Sequence, residues 1–177
     1  MTMTIAGFNL AETVKRTVLA GRIAGAGDKS KIEKAARAAA SEGRVAIDCS
    51  GIEVMSSSYF DAAVWPLWSL ADFFPIMTKV SAHVIDDIEI VLKANGGAAW
   101  CLTKGEPRIV GALDSTLERT VQEVVRRGEV SAGDLADLDR AIGATAWSNR
   151  LAALYNLRLV RRSKDGRRLN YVATWRA

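Results

Sequence analysis

The chain is poor in the residues that hold metals and form cross-links. Among 177 residues there are two cysteines and one histidine. Cys49 and Cys101 lie far apart and have no His or Cys neighbour at metal-ligand spacing, so neither a zinc site nor a disulfide framework is indicated. We interpret both as reduced, buried thiols. His83 lies in an apolar run and is interpreted as a packed strand residue rather than a catalyst.

Long apolar runs and a targeting leader are also missing. The sequence contains no run of about 18 apolar residues and no charged, apolar and cleavable leader. Secretion and membrane spanning are therefore disfavoured, and a cytoplasmic protein without a membrane partner is expected. The composition, 49% hydrophobic and 25% charged, is typical of a folded chain rather than a disordered one.

No arrangement of catalytic residues is recognisable. No Ser, Cys or His stands at nucleophile-base spacing, and Gly25-Ala26-Gly27 lacks the third glycine of a dinucleotide-binding fingerprint, so these glycines are interpreted as a turn. Without a metal motif, Asp48, Glu53 and Asp61 are interpreted as a strand end, a surface residue and a helix-start charge. We expect neither catalysis nor a cofactor.

The charge that is present is unevenly distributed. Residues 1–113 carry twelve Lys/Arg and twelve Asp/Glu, whereas residues 114–177 carry twelve and eight, so the net charge of +4 belongs to the second part. Between Arg158 and Arg168, six cationic side chains accompany one acid, Asp165. This distribution predicts a domain boundary after Leu113 and a basic surface that attracts phosphates, although a solvated hairpin without a partner is an ordinary alternative.

The first part alternates helical and strand patterns, as is typical of an α/β domain. Residues 17–20 fit either a short strand or the end of a helix. Ser30 and Glu33 have capping-box spacing ahead of an alanine-rich run, which predicts a helix over 30–40. Next along the chain the patterns predict a buried strand over 45–47, a helix over 59–70, a strand over 79–85, a short helix over 86–94, and a hairpin of strands 98–103 and 108–113.

The second part is predicted to contain three helices and a tight hairpin. Ser115 and Glu118 have capping-box spacing at the start of the first helix, and Gly128 closes it. Ser131 and Asp134 open a second helix that extends to about residue 141. The third helix, predicted over 145–156, has Trp147, Leu151 and Leu154 at the i, i+4, i+7 spacing of a buried face. Asp165-Gly166 supplies the positive-φ turn of the hairpin.

The segment VSAGDLADLDRAIGATAWSNRLAALYNLRLVRR resembles the winged helix-turn-helix of bacterial transcription regulators, and the resemblance spans residues 115–175. It implies binding to double-stranded DNA, with a homodimer expected. Ala152 and Ala153 stand where such regulators often carry basic or polar residues, which implies weak sequence preference, and Arg158 replaces the usual glycine before the wing. The residues expected to face the groove are Thr145, Ser148, Asn149 and Arg150, and those expected to hold the phosphate backbone are Arg161, Arg162, Lys164, Arg167 and Arg168.

The run VAIDCSGIEVMSSSYFDAAV resembles the centre of STAS and STAS-like domains, where a strand ending in Asp-x-Ser leads to a serine turn that opens a helix. The matching turn residues are Ser56, Ser57 and Ser58. In the anti-sigma-factor antagonists of that family the turn carries a regulatory phosphoserine and contacts a partner. The resemblance implies that Ser57 is the matching serine in this chain. This chain has Ser56 where Asp is usual and Tyr59 where Gly is usual. The alternative is that Ser57 or Ser58 only caps the helix.

We therefore predict an α/β STAS-like domain over residues 1–113, followed by an all-α plus β-hairpin winged helix over residues 114–177. The leading hypothesis is a DNA-binding transcriptional regulator whose first domain senses a signal or docks a protein partner. The alternative is a protein-interaction adaptor whose winged helix does not bind DNA.

Overall fold

The computed structural model describes residues 5–176, and the chain divides into two compact units, Met1–Ala112 and Leu113–Ala177. The division falls after Ala112, whereas the charge pattern predicts it after Leu113. The described residues form a mixed α/β fold with seven α-helices and a mostly parallel main sheet. Within residues 5–176, no helix has the length and apolar character needed to cross a bilayer.

The N-terminal unit alternates strands with helices. Its strands are β1 Gly7–Asn9, β2 Val18–Leu19, β3 Arg44–Asp48, β4 Val54–Met55, β5 Phe74–Thr78, β6 Ala98–Thr103 and β7 Glu106–Gly111. Its α-helices are α1 Leu10–Val14, α2 Arg22–Ala39, α3 Ser57–Ala63 and α4 Ala82–Ala94, and a 3₁₀ turn covers Trp65–Ser69. The main sheet has the order β1-β3-β5-β6-β7, in which only β7 is antiparallel to its neighbour, while β2 and β4 form a separate parallel pair.

The core of this unit lies between the sheet and its helices. Parallel neighbours require crossover connections, and α2, α3 and α4 are those connections. Alternate strand residues such as Val45 and Ile47 are fully buried in one cluster with Ile32, Phe60 and Ile88 from the helices. Cys49 and Cys101 are buried free thiols, as expected, and burial raises the pKa of the Cys101 thiol to about 12.

Helix α2 begins at Arg22 rather than at Ser30, so the interpretation of Gly25-Ala26-Gly27 as a turn is wrong. Gly25 is buried where α2 meets α3. A Cβ at Gly25 would lie 2.9 Å from the Tyr59 carbonyl oxygen and 3.0 Å from the Ala62 Cβ. A Cβ at Gly27 would have no atom within 4 Å. The glycine at position 25 is therefore required by a tertiary contact and not by a turn.

The strand predicted over 79–85 is also wrong, because β5 ends at Thr78 and α4 begins at Ala82. A short apolar run does not distinguish a strand from the buried side of a helix by its periodicity alone. His83 consequently lies exposed in the first turn of α4, where its Nε2 is 2.7 Å from the Glu53 carbonyl oxygen, instead of packing in a strand.

Helix α3 is shorter than predicted and ends at Ala63. Pro66 lacks the N–H that a continuing α-helix needs, and the chain passes into the 3₁₀ turn. The hairpin of β6 and β7 is present, with Thr103 opposite Glu106.

The C-terminal unit contains three helices and a three-stranded antiparallel sheet. Its elements are α5 Ser115–Arg127, β8 Glu129–Val130, α6 Ala132–Leu138, α7 Ala144–Asn156, β9 Val160–Asp165 and β10 Arg168–Ala173, and the strand order is β8-β10-β9.

Asp114, not Ser115, caps α5, because its carboxylate accepts the Leu117 N–H at 2.8 Å. Ser131 and Asp134 open α6 as predicted, through a capping box, although α6 ends before residue 141. Gly128 ends α5 as predicted.

Gly25 and Gly27 offer a matched test of the close contact between α2 and α3. Gly25→Ala should lower the free energy of unfolding by about 1–3 kcal/mol, because the new methyl group collides with the Tyr59 backbone. Gly27→Ala should raise it by about 0.5–1 kcal/mol through helix propensity. Urea unfolding of the full chain, followed by circular dichroism, measures both. Changes of the same sign would contradict the contact.

Candidate functional site

Helix α7 has a buried face and a polar face. The buried residues are Trp147, Leu151 and Leu154, as the spacing predicts. Thr145, Ser148 and Asn149 are exposed, and their i, i+3, i+4 spacing places them together on the α7 polar face. The half-buried Ala152 continues this face by one turn. Hydroxyl and amide groups are therefore available to a partner along one side of α7.

Arg150 lies to one side of the α7 polar face rather than on it with Thr145. Five positions separate the two residues, which is about 140° around a helix. Arg150 is half-buried, and its guanidinium lies 4.9 Å from the centre of the Trp147 ring. A cation–π contact of this kind is favourable and holds the side chain beside the buried face.

Tyr155 extends the α7 polar face and is a residue that the sequence reasoning missed. It lies seven positions after Ser148, which is two helical turns. This spacing alone predicts that the two residues lie on the same side of α7. The guanidinium of Arg162, from β9, lies 4.1 Å above the Tyr155 ring. Stacking uses the flat face of a guanidinium and leaves its N–H donors directed outward. Arg162 is therefore held next to the α7 polar face.

Two cations of the hairpin bond to their own unit. Arg161 is half-buried and its Nη2 donates to the Arg176 carbonyl oxygen at 3.0 Å. Arg168 forms a salt bridge with Asp134 and donates to the Asn170 side chain at 2.9 Å. Strand alternation turns both away from the face that carries Arg162. Their contacts attach the hairpin to the rest of the C-terminal unit.

The tip of the hairpin carries the remaining two cations. Asp165 pairs with Arg168 across the strands, so the two-residue loop is Gly166-Arg167 and not Asp165-Gly166 as predicted. Gly166 has a φ of +59°, the positive value that such loops favour. Lys164 and Arg167 are exposed, and within residues 5–176 neither forms an ion pair or a side-chain hydrogen bond.

Arg158 occupies the bend between α7 and the hairpin, where a glycine is usual. Its φ is +64°, the left-handed value that glycine adopts most easily. The Arg158 N–H bonds the Tyr155 carbonyl at 3.0 Å, and the Leu159 N–H bonds the Leu154 carbonyl at 3.0 Å. This pair of bonds is a Schellman motif, which ends α7. Thr174 Oγ1 donates to the Arg158 carbonyl at 2.8 Å and holds the bend to β10.

The serine turn of the N-terminal unit is capped by Ser56, so the expectation that Ser57 or Ser58 caps the helix is wrong. Ser56 Oγ accepts hydrogen bonds from the Tyr59 N–H at 3.2 Å and from the Gly21 N–H at 3.1 Å. It also lies 3.2 Å from Ser58 Oγ. Ser57 begins α3, and its hydroxyl makes no hydrogen bond to any described residue.

A buried polar cluster lies beneath the serine turn. The Tyr59 hydroxyl donates to Asp28 at 2.8 Å, and Asp28, 7% exposed, also forms a salt bridge with Arg16. Burial, followed by the Asp28 contact, raises the pKa of Tyr59. On the surface above, Asp61 pairs with Arg22 at 2.8 Å instead of serving as a helix-start charge. Helix α3 is thus bonded to α2 by a buried hydrogen bond and by an ion pair at the surface.

Comparison of the chain with protein-family models, with curated proteins and with solved structures finds no match in any of the three. In the part of the chain that the structure describes, no three His, Cys, Asp or Glu side chains are grouped so as to hold a metal ion. The features that bear on function are the α7 polar face, the basic hairpin and the serine turn.

The three serines allow the cap to be tested by single substitutions. Ser56→Ala should lower the free energy of unfolding by about 1–2 kcal/mol, because two backbone N–H groups lose their acceptor. Ser57→Ala should change it by less than about 0.5 kcal/mol. Urea unfolding of both variants gives the comparison, and a larger loss at Ser57 would show that the capping residue is misassigned.

Proposed function

We propose that the C-terminal unit is a winged helix-turn-helix that binds double-stranded DNA and that the protein is a transcriptional regulator. The order of elements supports this: a helix and a short strand, then the pair α6 and α7, then the β9–β10 hairpin beside β8. In this arrangement α7 is the recognition helix and the hairpin is the wing.

The observation that carries the proposal is the stack of Arg162 on Tyr155, 4.1 Å from the ring centre. It places a wing cation at the C-terminal end of the α7 polar face, two helical turns beyond Ser148, so that base-reading and phosphate-binding groups lie along one side of α7. The hydroxyls donate to phosphates, and the Asn149 amide matches the adenine edge in the major groove.

The composition of the surface determines what kind of binding to expect. Arg162, Lys164 and Arg167 are exposed and supply charge that is independent of sequence. Ala152, between the polar residues and Tyr155, offers only a methyl group, which suits the thymine methyl and no hydrogen-bonding edge. Affinity is then dominated by phosphates, with a modest sequence preference. A homodimer on two half-sites would multiply that affinity.

In the same proposal the N-terminal unit is a STAS-like domain that senses or docks a partner at the serine turn. Ser56 is occupied as the cap, whereas the Ser57 hydroxyl has no partner among the described residues. Ser57 is therefore the serine that a phosphate could modify without breaking the cap, and the modification would add up to about two negative charges.

Phosphorylation of Ser57 is checked by intact-mass measurement of the protein from its native host under several growth conditions. The expected result is a fraction that is heavier by one phosphate, with the phosphate mapped to Ser57 by fragmentation. Absence of the heavier species in every condition, or its location on Ser56, would count against the switch.

DNA binding is tested by fluorescence anisotropy of a labelled duplex about two helical turns long, titrated at several salt concentrations. Replacing both Lys164 and Arg167 with Ala should weaken binding by at least about tenfold. The plot of log binding constant against log salt concentration should also become less steep, by about 2 in slope, because two phosphate contacts are lost. The matched control replaces Lys31 and Lys34, exposed on α2 of the N-terminal unit, with the same loss of charge. That control should leave the affinity unchanged.

Two results would overturn the DNA proposal. One is a lack of salt-sensitive binding by the unmodified protein at low ionic strength. The other is an equal loss of affinity in both double variants, which would indicate a response to net charge alone. Selection of bound duplexes from a random pool then measures the sequence preference, for which Asn149→Ala should remove the adenine component.

A further inference from the structure

A cavity of about 480 Å³ opens at one edge of the N-terminal unit's main sheet. It lies at the carboxyl ends of three adjacent parallel strands, where β1 ends at Asn9, β3 at Asp48 and β5 at Thr78. The cavity also has an apolar side formed by Ile5, Ala46 and Leu102. Its volume falls in the range of about 300–1,000 Å³ that is usual for small-molecule sites.

An ion pair lines the polar side of the cavity. Lys79 Nζ lies 2.6 Å from Asp48 Oδ2, and Asp48 Oδ1 accepts the Ser50 N–H at 2.8 Å. Burial raises the pKa of Asp48, but the bonds from Lys79 and Ser50 lower it more, so that the net shift is downward. The carboxylate is therefore charged at neutral pH and fixes the position of the ammonium group.

Among the described residues that line this cavity, Lys79 is the side-chain hydrogen-bond donor that remains available. The Asn9 amide already donates to the Ser50 carbonyl at 3.2 Å and to Ser50 Oγ at 3.0 Å, and its oxygen accepts the Glu12 N–H. Thr78 Oγ1 directs its hydrogen toward the Ile47 carbonyl. An ammonium group has three N–H donors, so Lys79 retains two after bonding Asp48.

We propose that this cavity binds a small organic acid with an apolar body. The carboxylate of the ligand accepts hydrogen bonds from Lys79, and its apolar part lies against Ile5, Ala46 and Leu102. The proposal goes beyond DNA binding, because it assigns a ligand class to the N-terminal unit and does not depend on what the C-terminal unit binds.

The test is a titration of the full, isotope-labelled chain with 4-methylpentanoate, followed by ¹H–¹⁵N NMR in the absence of DNA. Saturable shifts are expected at the amides of Thr78, Lys79 and Leu102, with a dissociation constant of about 1 mM or lower. Two further probes separate the contribution of the ligand's charge from that of its apolar body. The neutral 4-methylpentanamide lacks the charge and acetate lacks the apolar body, and both should bind at least about tenfold more weakly.

Variants at Lys79 complete the test. Lys79→Gln should weaken binding of 4-methylpentanoate at least about tenfold, whereas Lys79→Arg, which keeps the charge, should retain binding, and Lys31→Gln on α2 serves as the control. Thermal unfolding of each variant checks that the fold is intact. Binding that is absent, equally strong for the amide or acetate, or unchanged in Lys79→Gln would overturn the proposal. Such a failure would leave DNA binding, measured separately, unaffected.

Discussion

The left-handed backbone at Arg158 is the constraint on which the C-terminal unit depends. The two hydrogen bonds of the Schellman motif end α7 and turn the chain so that β9 returns beside the helix it has just left. Because of this return, Arg162, four positions after Arg158, lies over the Tyr155 ring. A non-glycine residue in this conformation costs about 1–2 kcal/mol, and the helix-end bonds and the Thr174 contact offset that cost.

The N-terminal unit depends on close attachment of α2 to α3. Gly25 lets the helices touch, the buried Asp28 bonds Tyr59 from below, and Ser56 accepts N–H groups from the starts of both helices. One hydroxyl therefore ties together two chain segments that are far apart in sequence. The serine turn is consequently bonded to the starts of α2 and α3 through Ser56, while the Ser57 hydroxyl has no partner among the described residues.

Sequence reasoning succeeded where the signal was local. The buried face of α7, the capping box of Ser131 and Asp134 and the hairpin strands follow from spacing within a few residues, and the structure has them. It failed where a distant residue decided the outcome. Gly25 belongs to a glycine-rich run that is typical of a turn, yet it lies inside α2, where the Tyr59 carbonyl oxygen leaves no room for a Cβ. The cations show the same limit, since a sequence counts Arg150 and Arg168 with the other positive charges but does not show the ring or carboxylate beside each.

By itself, the sequence determined a mixed α/β chain with its excess positive charge near a tight hairpin, because propensity, periodicity and charge are properties of neighbouring residues. The tertiary structure alone decided which of the hairpin cations are exposed and which serine is the cap. It also decided that Asp48 and Lys79 meet at the end of the sheet. The physical reason is that a hydrogen bond or ion pair depends on angstrom-scale distance, and strands and helices far apart in sequence set that distance only once they have packed.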